Sequence, residues 1–302
     1  MIGRRGIATL VVLWAMLLLG TLALGFSLAM RTEAQAARNG LDATRAYYQA
    51  RSGIDRALAL LSSMPPDNVM AMKIAGEEAD AAYAVSLVPE SGKVDINLVG
   101  EAMLKEILGK GGLTTDQAEA LGDAILDWRD ADDIPLARGA EASAYANDPE
   151  PVRPRNGKLA ALEELQYVKG MTPRFYDRFV AKVFTVHGGG AVNINVAPVD
   201  VLAALPGVSA ELAQAIAARR DERPFSGLPD VVQFLGGTGF SPPATAMFTT
   251  VNLTPVYTIR AEGTVAGKAS RTISCLAEIG GTGENPVRMI GWKDLVAGDE
   301  ER

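Results

Sequence analysis

The chain has 302 residues, a formal net charge of −7, one cysteine and one histidine. The acidic balance disfavours nucleic-acid phosphate or anionic lipid as a partner for the surface as a whole. Cys275 alone excludes an intrachain disulfide. His187 and Cys275 together exclude a multi-His or Cys-rich zinc site, and any histidine-dependent triad would rest on His187, beside Gly188-Gly189-Gly190.

Arg4-Arg5-Gly6 opens onto an uncharged run, Ile7 to Met30, whose polar members are Thr9, Thr21 and Ser27. As a helix it is long enough to cross a hydrocarbon core of roughly 30 Å. It exceeds the apolar core of a cleaved secretory signal, and no helix breaker follows it. Hydropathy alone fits a simple signal anchor equally well. Arg4 and Arg5 place the N-terminus in the cytoplasm and the bulk outside. The helical pattern continues to about Ser62 and stops before Pro65-Pro66. Leu41, Tyr48 and Asp55 recur at sevens, while Tyr47, Ile54, Leu58 and Leu61 form an apolar stripe. A rod from Ile7 to Ser62 would span roughly 84 Å. Its outer half is amphipathic and should lie against a soluble domain.

A strand is expected at Tyr83 to Val88, then a turn at Glu90-Ser91-Gly92 leading into Lys93 to Asn97. Glu101 to Arg129 reads as two helices around Gly109 to Gly112. A long acidic loop covers Asp130 to Pro154, and helices are expected at Leu159–Val168 and Pro173–Val183. The pattern then repeats. Gly92-Lys-Val-Asp-Ile-Asn97 matches Gly190-Ala-Val-Asn-Ile-Asn195, and Leu121 to Asp130 matches Leu212 to Asp221. Leu162-x-x-Leu165-x-x-Val168-x-Gly170 matches Leu228-x-x-Val231-x-x-Phe234-x-Gly236. Three matches in one order argue for two copies of a helical unit. Asn97 and Asn195 read as turn or cap residues with a structural role. The end of the chain reads as antiparallel strands: Val256 to Val265, a Gly267-Lys268 turn, Ser270 to Ile279, then Val287 to Trp292.

Two constellations carry chemistry. Leu205-Pro206-Gly207-Val208-Ser209 before a helix resembles a helix-hairpin-helix, which elsewhere offers amides to DNA phosphate. Ser209 stands where that pattern has a second glycine. This leaves a membrane-anchored DNA-binding or uptake receptor as the alternative reading. The first long loop is richer: Asp127, Asp130, Asp132, Asp133 and Glu141 cluster around Gly139. Calcium takes about 6–8 oxygen ligands and suits such donors. The spacing is not that of an EF-hand. Asp127 aligns with Ala218, and the second copy lacks the Asp132/Asp133 pair, so the helical framework does not require these carboxylates. A solvated acidic loop is the plain alternative. A hydrolase built on the aspartates lacks a recognisable second component.

Together these residues resemble a known family. Arg4-Arg5-Gly6 followed at once by an apolar helix resembles a type IV prepilin leader, cut after Gly6 so that Ile7 becomes the N-terminus. Pilin-class proteins usually carry glutamate at the fifth mature position; here it is Val11, a departure characteristic of the minor pseudopilin K family of type II secretion. The segments Ile125-x-Asp127-Trp128-x-Asp130-x-Asp132, Gly139-Ala140-Glu141, Leu162-x-Glu164-Leu165 and Val192-Asn193-Ile194-Asn195 are similar to that family as well. The resemblance implies an α+β pseudopilin fold, with a long N-terminal transmembrane helix packed on a small antiparallel sheet. A large α-helical domain is inserted, here carrying two helix-hairpin-helix-like repeats. The expected division is a leader at 1–6, a membrane helix at 7–30, and a helix extension with first strands at 31–97. The inserted domain would cover 98–253, and C-terminal strands with a charged tail 254–302. The resemblance also implies a non-enzymatic subunit at the pseudopilus tip. Its expected partners are minor pseudopilins I and J, the major pseudopilin, the prepilin peptidase and the inner-membrane secretion platform. Calcium is associated with the family's helical domain, with Asp127, Asp130, Asp132, Asp133 and Glu141 as the candidate ligands here.

Overall fold

The computed structural model of the chain describes residues 4–63, 71–146, 151–237, 246–251, 254–266, 269–280 and 286–295. Helix α1 runs unbroken from Arg4 to Ser63. No proline interrupts it. The hydroxyls of Thr21, Thr32 and Thr44 donate to the carbonyls of Leu18, Leu28 and Gly40, so these polar groups are satisfied within the helix. The helix is long and apolar enough to cross a membrane, and its apolar window is fully exposed in the isolated chain. Pro65-Pro66 lies outside the described residues.

Contact with the rest of the molecule begins later than the amphipathic pattern suggests. Residues 31–41 are exposed, and Ala46 is the first buried side chain among the described positions of α1. The residues recurring at sevens mark the outer face: Leu41 and Tyr48 are 61% and 63% exposed. The buried stripe is Ala46, Ala50, Ile54, Ala57 and Leu61, with Tyr47 and Leu58 half-buried beside it. The expected stripe of Tyr47, Ile54, Leu58 and Leu61 lies on this packed face, and the alanines between them let the sheet approach.

After α1 come β1 (Met72–Glu78), β2 (Ala81–Pro89), β3 (Val94–Asp95), α2 (Glu101–Lys110), α3 (Thr115–Arg129) and α4 (Ala142–Tyr145). They are followed by α5 (Pro173–Phe175), α6 (Ala181–Val183), β4 (Phe184–Thr185), β5 (Val192–Asn193), α7 (Val199–Ala204), α8 (Ala210–Glu222) and α9 (Leu228–Gly236). The order closes with β6 (Phe248–Thr249), β7 (Val256–Val265), β8 (Ala269–Ile279) and β9 (Val287–Leu295). One five-stranded sheet has the order β1-β2-β7-β8-β9, antiparallel throughout. Along β2 alternate residues Ala81, Tyr83, Val85 and Leu87 are buried beneath α1, facing a core with Ile259, Ala261, Ile273 and Cys275. Gly263 lies under the helix backbone, where any Cβ would collide with the Ala46 carbonyl and the Ala50 amide. Burial in this core pushes the Cys275 thiol up to about 11.

Strand β1 was not legible in the sequence. Its residues, Met-Lys-Ile-Ala-Gly-Glu-Glu, bury no side chain fully, and its place is set by pairing with β2 from Met72↔Leu87 to Glu78↔Ala81. The Gly267-Lys268 turn lies outside the described residues, and the third expected strand extends to Leu295. The helix expected at Leu159–Val168 shrinks to a 3-10 turn at Leu162–Tyr167, and the Leu159 amide and carbonyl bond to Asn97 instead of to a helix. The helix from Pro173 to Val183 passes through a π turn at Tyr176–Val180.

Between the sheet strands β2 and β7 the chain builds a helical body from two units with one hydrogen-bond plan. In the first, β3 pairs parallel with β4; in the second, β5 pairs parallel with β6. The Asp95 side chain accepts the Asn97 amide (2.8 Å), as Asn193 accepts that of Asn195 (3.0 Å). Asn97 then exchanges two bonds with the Leu159 backbone (2.8 and 3.0 Å), and Asn195 does the same with Phe225 (2.8 and 3.0 Å). The two asparagines are therefore long-range cross-links, while Asp95 and Asn193 make the turns. Arg129 donates to the carbonyls of Ile96 and Val99; Arg220 donates to those of Ile194 and Ala197.

The units are tied to each other and to the sheet. Lys110, at the end of α2, places its ammonium on the carbonyls of Leu205 (2.6 Å) and Val208 (2.7 Å), the hairpin between α7 and α8. It is the natural cation for a helix C-terminus. At the sheet junction Glu90 is buried, paired with Lys93 (3.0 Å) and accepting from the Thr258 hydroxyl (2.5 Å). Burial alone would raise the Glu90 carboxyl, but the Lys93 charge and the hydroxyls of Thr185 and Thr258 outweigh it and hold it below the usual range. The second oxygen of Asp95 accepts the amides of Gly188 (3.0 Å) and Gly189 (3.1 Å), pinning the crossing between units that contains His187.

Candidate functional site

The strongest concentration of unusual chemistry lies where α3 ends. The helix starts on a capping box, with Thr114 and Gln117 exchanging bonds. It carries Asp123 and Asp127 four residues apart, hence on one face. Asp130 is its C-cap, with its amide on the Leu126 carbonyl (3.0 Å). A carboxylate at a helix C-terminus opposes the helix dipole and favours a nearby cation.

The loop beyond α3 brings Asp130, Asp132 and Glu141 together: one oxygen from each lies within 4.8 Å of the others. Glu141 is only 3% exposed, and among the described residues neither of its carboxylate oxygens has a hydrogen-bond partner; one oxygen of Asp130 is equally bare. Leaving a buried charged group without a partner is costly unless a counter-ion arrives. Burial first, then repulsion from Asp127, Asp130, Asp133 and Asp132, pushes the Glu141 carboxyl above its usual range. Asp130 is raised for the same reasons, with Asp132 the leading neighbour. The donors are hard oxygens, with two carboxylates nearly or partly enclosed and one, Asp132, exposed. That set fits calcium rather than a thiolate- or imidazole-seeking metal.

Not all five expected ligands converge. Asp127 is fully buried, but both its oxygens accept the Leu136 amide (3.1 and 3.3 Å). Burial, offset in part by amides of Leu136 and Ala140, raises its carboxyl. Asp133 instead accepts from the Asn156 side chain (2.8 Å), which also bonds the Asp132 carbonyl (3.1 Å). Sequence reading missed Asp123, whose oxygens take Lys105 (2.5 Å) and the Arg138 amide (3.1 Å). Its spacing of four from Asp127 was the available signal. Asp133 and Glu141 also border a cleft with Ser143, Val152 and Arg153.

In the helix-hairpin-helix-like segment Leu205 and Val208 are buried while Gly207 and Ser209 are exposed. Its carbonyls hold Lys110. Arg219 pairs with Asp230 and lies over the Phe225 ring, and Arg220 is spent on main-chain carbonyls. Gly6 and Ile7 fall inside α1.

A stem helix with a free apolar half, seated on an antiparallel sheet that carries an inserted helical body, is the arrangement of a pilin-class subunit. Two family models, both described as Type II secretion system (T2SS), protein K, match residues 68–186 and 192–250. The chain belongs to the type II secretion system protein K family. It is 38% identical to the protein K of Pectobacterium carotovorum subsp. carotovorum over 28% of this chain and 26% of that protein. With the Dickeya chrysanthemi protein K the identity is 31% over 40% and 34% of the two chains. The first two relatives are thus matched over about a third of their length or less. A longer, weaker match to the Pseudomonas aeruginosa protein K is 23% identical over 78% of each. The fold is similar to a chain of the crystal structure of the GspK-GspI-GspJ complex from enterotoxigenic Escherichia coli. The TM-score is 0.65 at 16% identity, covering 88% of this chain and 99% of that one.

Proposed function

We propose that this chain is a non-catalytic minor pseudopilin at the tip of a type II secretion pseudopilus, bound there to minor pseudopilins I and J. The observation that carries the reading is the near-complete fold match to a protein K solved in complex with GspI and GspJ. The apolar half of α1 anchors the chain in the inner membrane, with the bulk in the periplasm. Prepilin peptidase cuts after Gly6, and Ile7 becomes the mature N-terminus. Pilin-class subunits use a glutamate at the fifth mature position to meet a neighbour's amino terminus. Val11 offers no charge, so this subunit cannot make that contact itself, while its own amino terminus can still be met from below. The helical body above the sheet blocks further addition.

Calcium bound by Asp130, Asp132 and Glu141 belongs to the same proposal. The two bare oxygens of Glu141 support it. The ion would supply the missing positive charge and hold the loop after α3 against the helical body.

The experiment is co-purification of the membrane-extracted full chain with pseudopilins I and J of its own system, with mass analysis of its N-terminus. A one-to-one-to-one complex starting at Ile7 is expected. A chain that begins at Met1 and does not associate with I and J would refute the proposal.

A further inference from the structure

We infer that Asp127 is a positioning residue rather than a ligand: with Asp123 it holds residues 136–140 along α3, so that Glu141 is delivered to Asp130 and Asp132 before any ion arrives. This rests on the calcium reading above for its purpose but not for its geometry. Asp123 and Asp127 project from one face of α3, four residues apart, and both are buried. Alternate amides of the loop reach them. Those of Leu136 (3.1 Å) and Ala140 go to Asp127, and that of Arg138 goes to Asp123 (3.1 Å). The segment is a turn closed by the Gly139 amide on the Leu136 carbonyl (3.0 Å), and the amides at its two ends and in its middle are the ones turned toward α3.

Gly139 is the counterpart. A Cβ at this position would overlap the Asp127 carboxylate itself. The contact is therefore made between main chain and carboxylate, with no side chain between them. Glu141 follows two residues later, where its side chain enters the cluster and its oxygens remain bare. Three further contacts shape the loop. Ile134 donates its amide to Asp132 (2.9 Å), Gly139 donates its amide to the Leu136 carbonyl (3.0 Å), and Asn156 holds Asp132 and Asp133. The Leu136 amide reaches both oxygens of Asp127, whereas among the described residues Glu141 has a donor on neither. The oxygens that lack partners are the ones left for a cation.

The test compares Asp127→Asn, Asp127→Ala, Gly139→Ala and Glu141→Gln in the full chain in detergent. The readouts are calcium titration and amide hydrogen exchange of residues 136–140 in the metal-free protein. An asparagine still accepts an amide, so Asp127→Asn should keep most of the exchange protection and lose less than about tenfold in calcium affinity. Asp127→Ala should lose the protection, with an affinity loss of about 10- to 100-fold as expected for a group that orients a ligand. Gly139→Ala should weaken binding, and adding Asp127→Ala to it should cost less than it does in the wild type, because the collision partner is gone. Glu141→Gln should abolish calcium binding while leaving the metal-free protection intact. If Asp127→Asn weakens calcium as severely as Glu141→Gln, Asp127 is a ligand and the inference is wrong, although the calcium site stands. If amides 136–140 exchange freely in the metal-free wild type, the loop is not held in advance and the inference also fails. Protection without any calcium binding would uphold the clamp and remove the calcium reading instead.

Discussion

The two helical units share their turns, their asparagine cross-links and their arginine clamps, yet among the described residues only the first carries an acidic centre. The difference lies in one connection. After α8 the second unit needs only residues 223–227 to reach α9, with Phe225 in the middle held by Asn195. After α3 the first unit runs through residues 130–161 before its 3-10 turn, with Leu159 held by Asn97 in the equivalent place. The framework tolerates the longer path because both ends are fixed by the same bonds, and loop length itself costs little entropy. A carboxylate-rich connection can therefore be inserted in one copy without disturbing the common plan.

The clamps offer the largest effects by which to break this comparison. Arg129→Met and Arg220→Met should each destabilise the chain by about 3 kcal/mol, since two charge-assisted bonds to buried carbonyls are lost. Chemical denaturation of the detergent-solubilised chain measures this. A much smaller loss at one site would show that the units are not held alike. Next comes calcium, which should separate the units. At about 100 times its dissociation constant, a ligand bound only to the native state adds about 2.7 kcal/mol. That gain should disappear in Glu141→Gln and survive Asp221→Asn, a carboxyl change at the corresponding end of α8. Thermal melts with and without chelator read both.

Asn97→Ala and Asn195→Ala should cost about 2 kcal/mol each, because each leaves an amide and a carbonyl without their partner. Equal losses support one plan, and amide exchange at Leu159 and Phe225 would locate them. The smallest effect concerns the junction below both units. Glu90 has a folded pKa below its unfolded value, so its contribution is present above the ordinary glutamate range and is lost as pH falls through the folded value. Glu90→Gln should cost about 1 kcal/mol at neutral pH, since the amide still accepts from Lys93 and Thr258, and nothing at strongly acid pH. An unchanged loss at all pH values would mean that packing, not charge, holds the junction. At the other end of the molecule, Val11→Glu should leave membrane insertion intact but change pseudopilus number or length if the missing charge sets the end position; imaging of pseudopili checks it.

Much of the fold was legible because it is local. The membrane-length run, the unbroken helix and the alternating end strands follow from hydropathy and period within short windows. The repeat could be read from Asn97 and Asn195, although their partners could not. Leu159 and Phe225 lie far along the chain, and nothing near the asparagines names them. Strand β1 escaped notice because an edge strand with no fully buried side chain has little alternation to show. The seven-residue recurrence of Leu41, Tyr48 and Asp55 pointed to a face, but not to the face that packs.

The acidic centre divides in the same way. Residue type and clustering alone placed hard oxygen donors around Gly139 and made calcium the ion we propose, because charge and donor chemistry are properties of side chains. Which carboxylates converge was decided only by the fold. Asp127 turned toward the Leu136 amide, Asp133 turned to Asn156, and Glu141 was carried in from beyond Gly139 to face Asp130 and Asp132. A buried carboxylate takes whatever donor the chain brings within reach, and that is a matter of tertiary geometry.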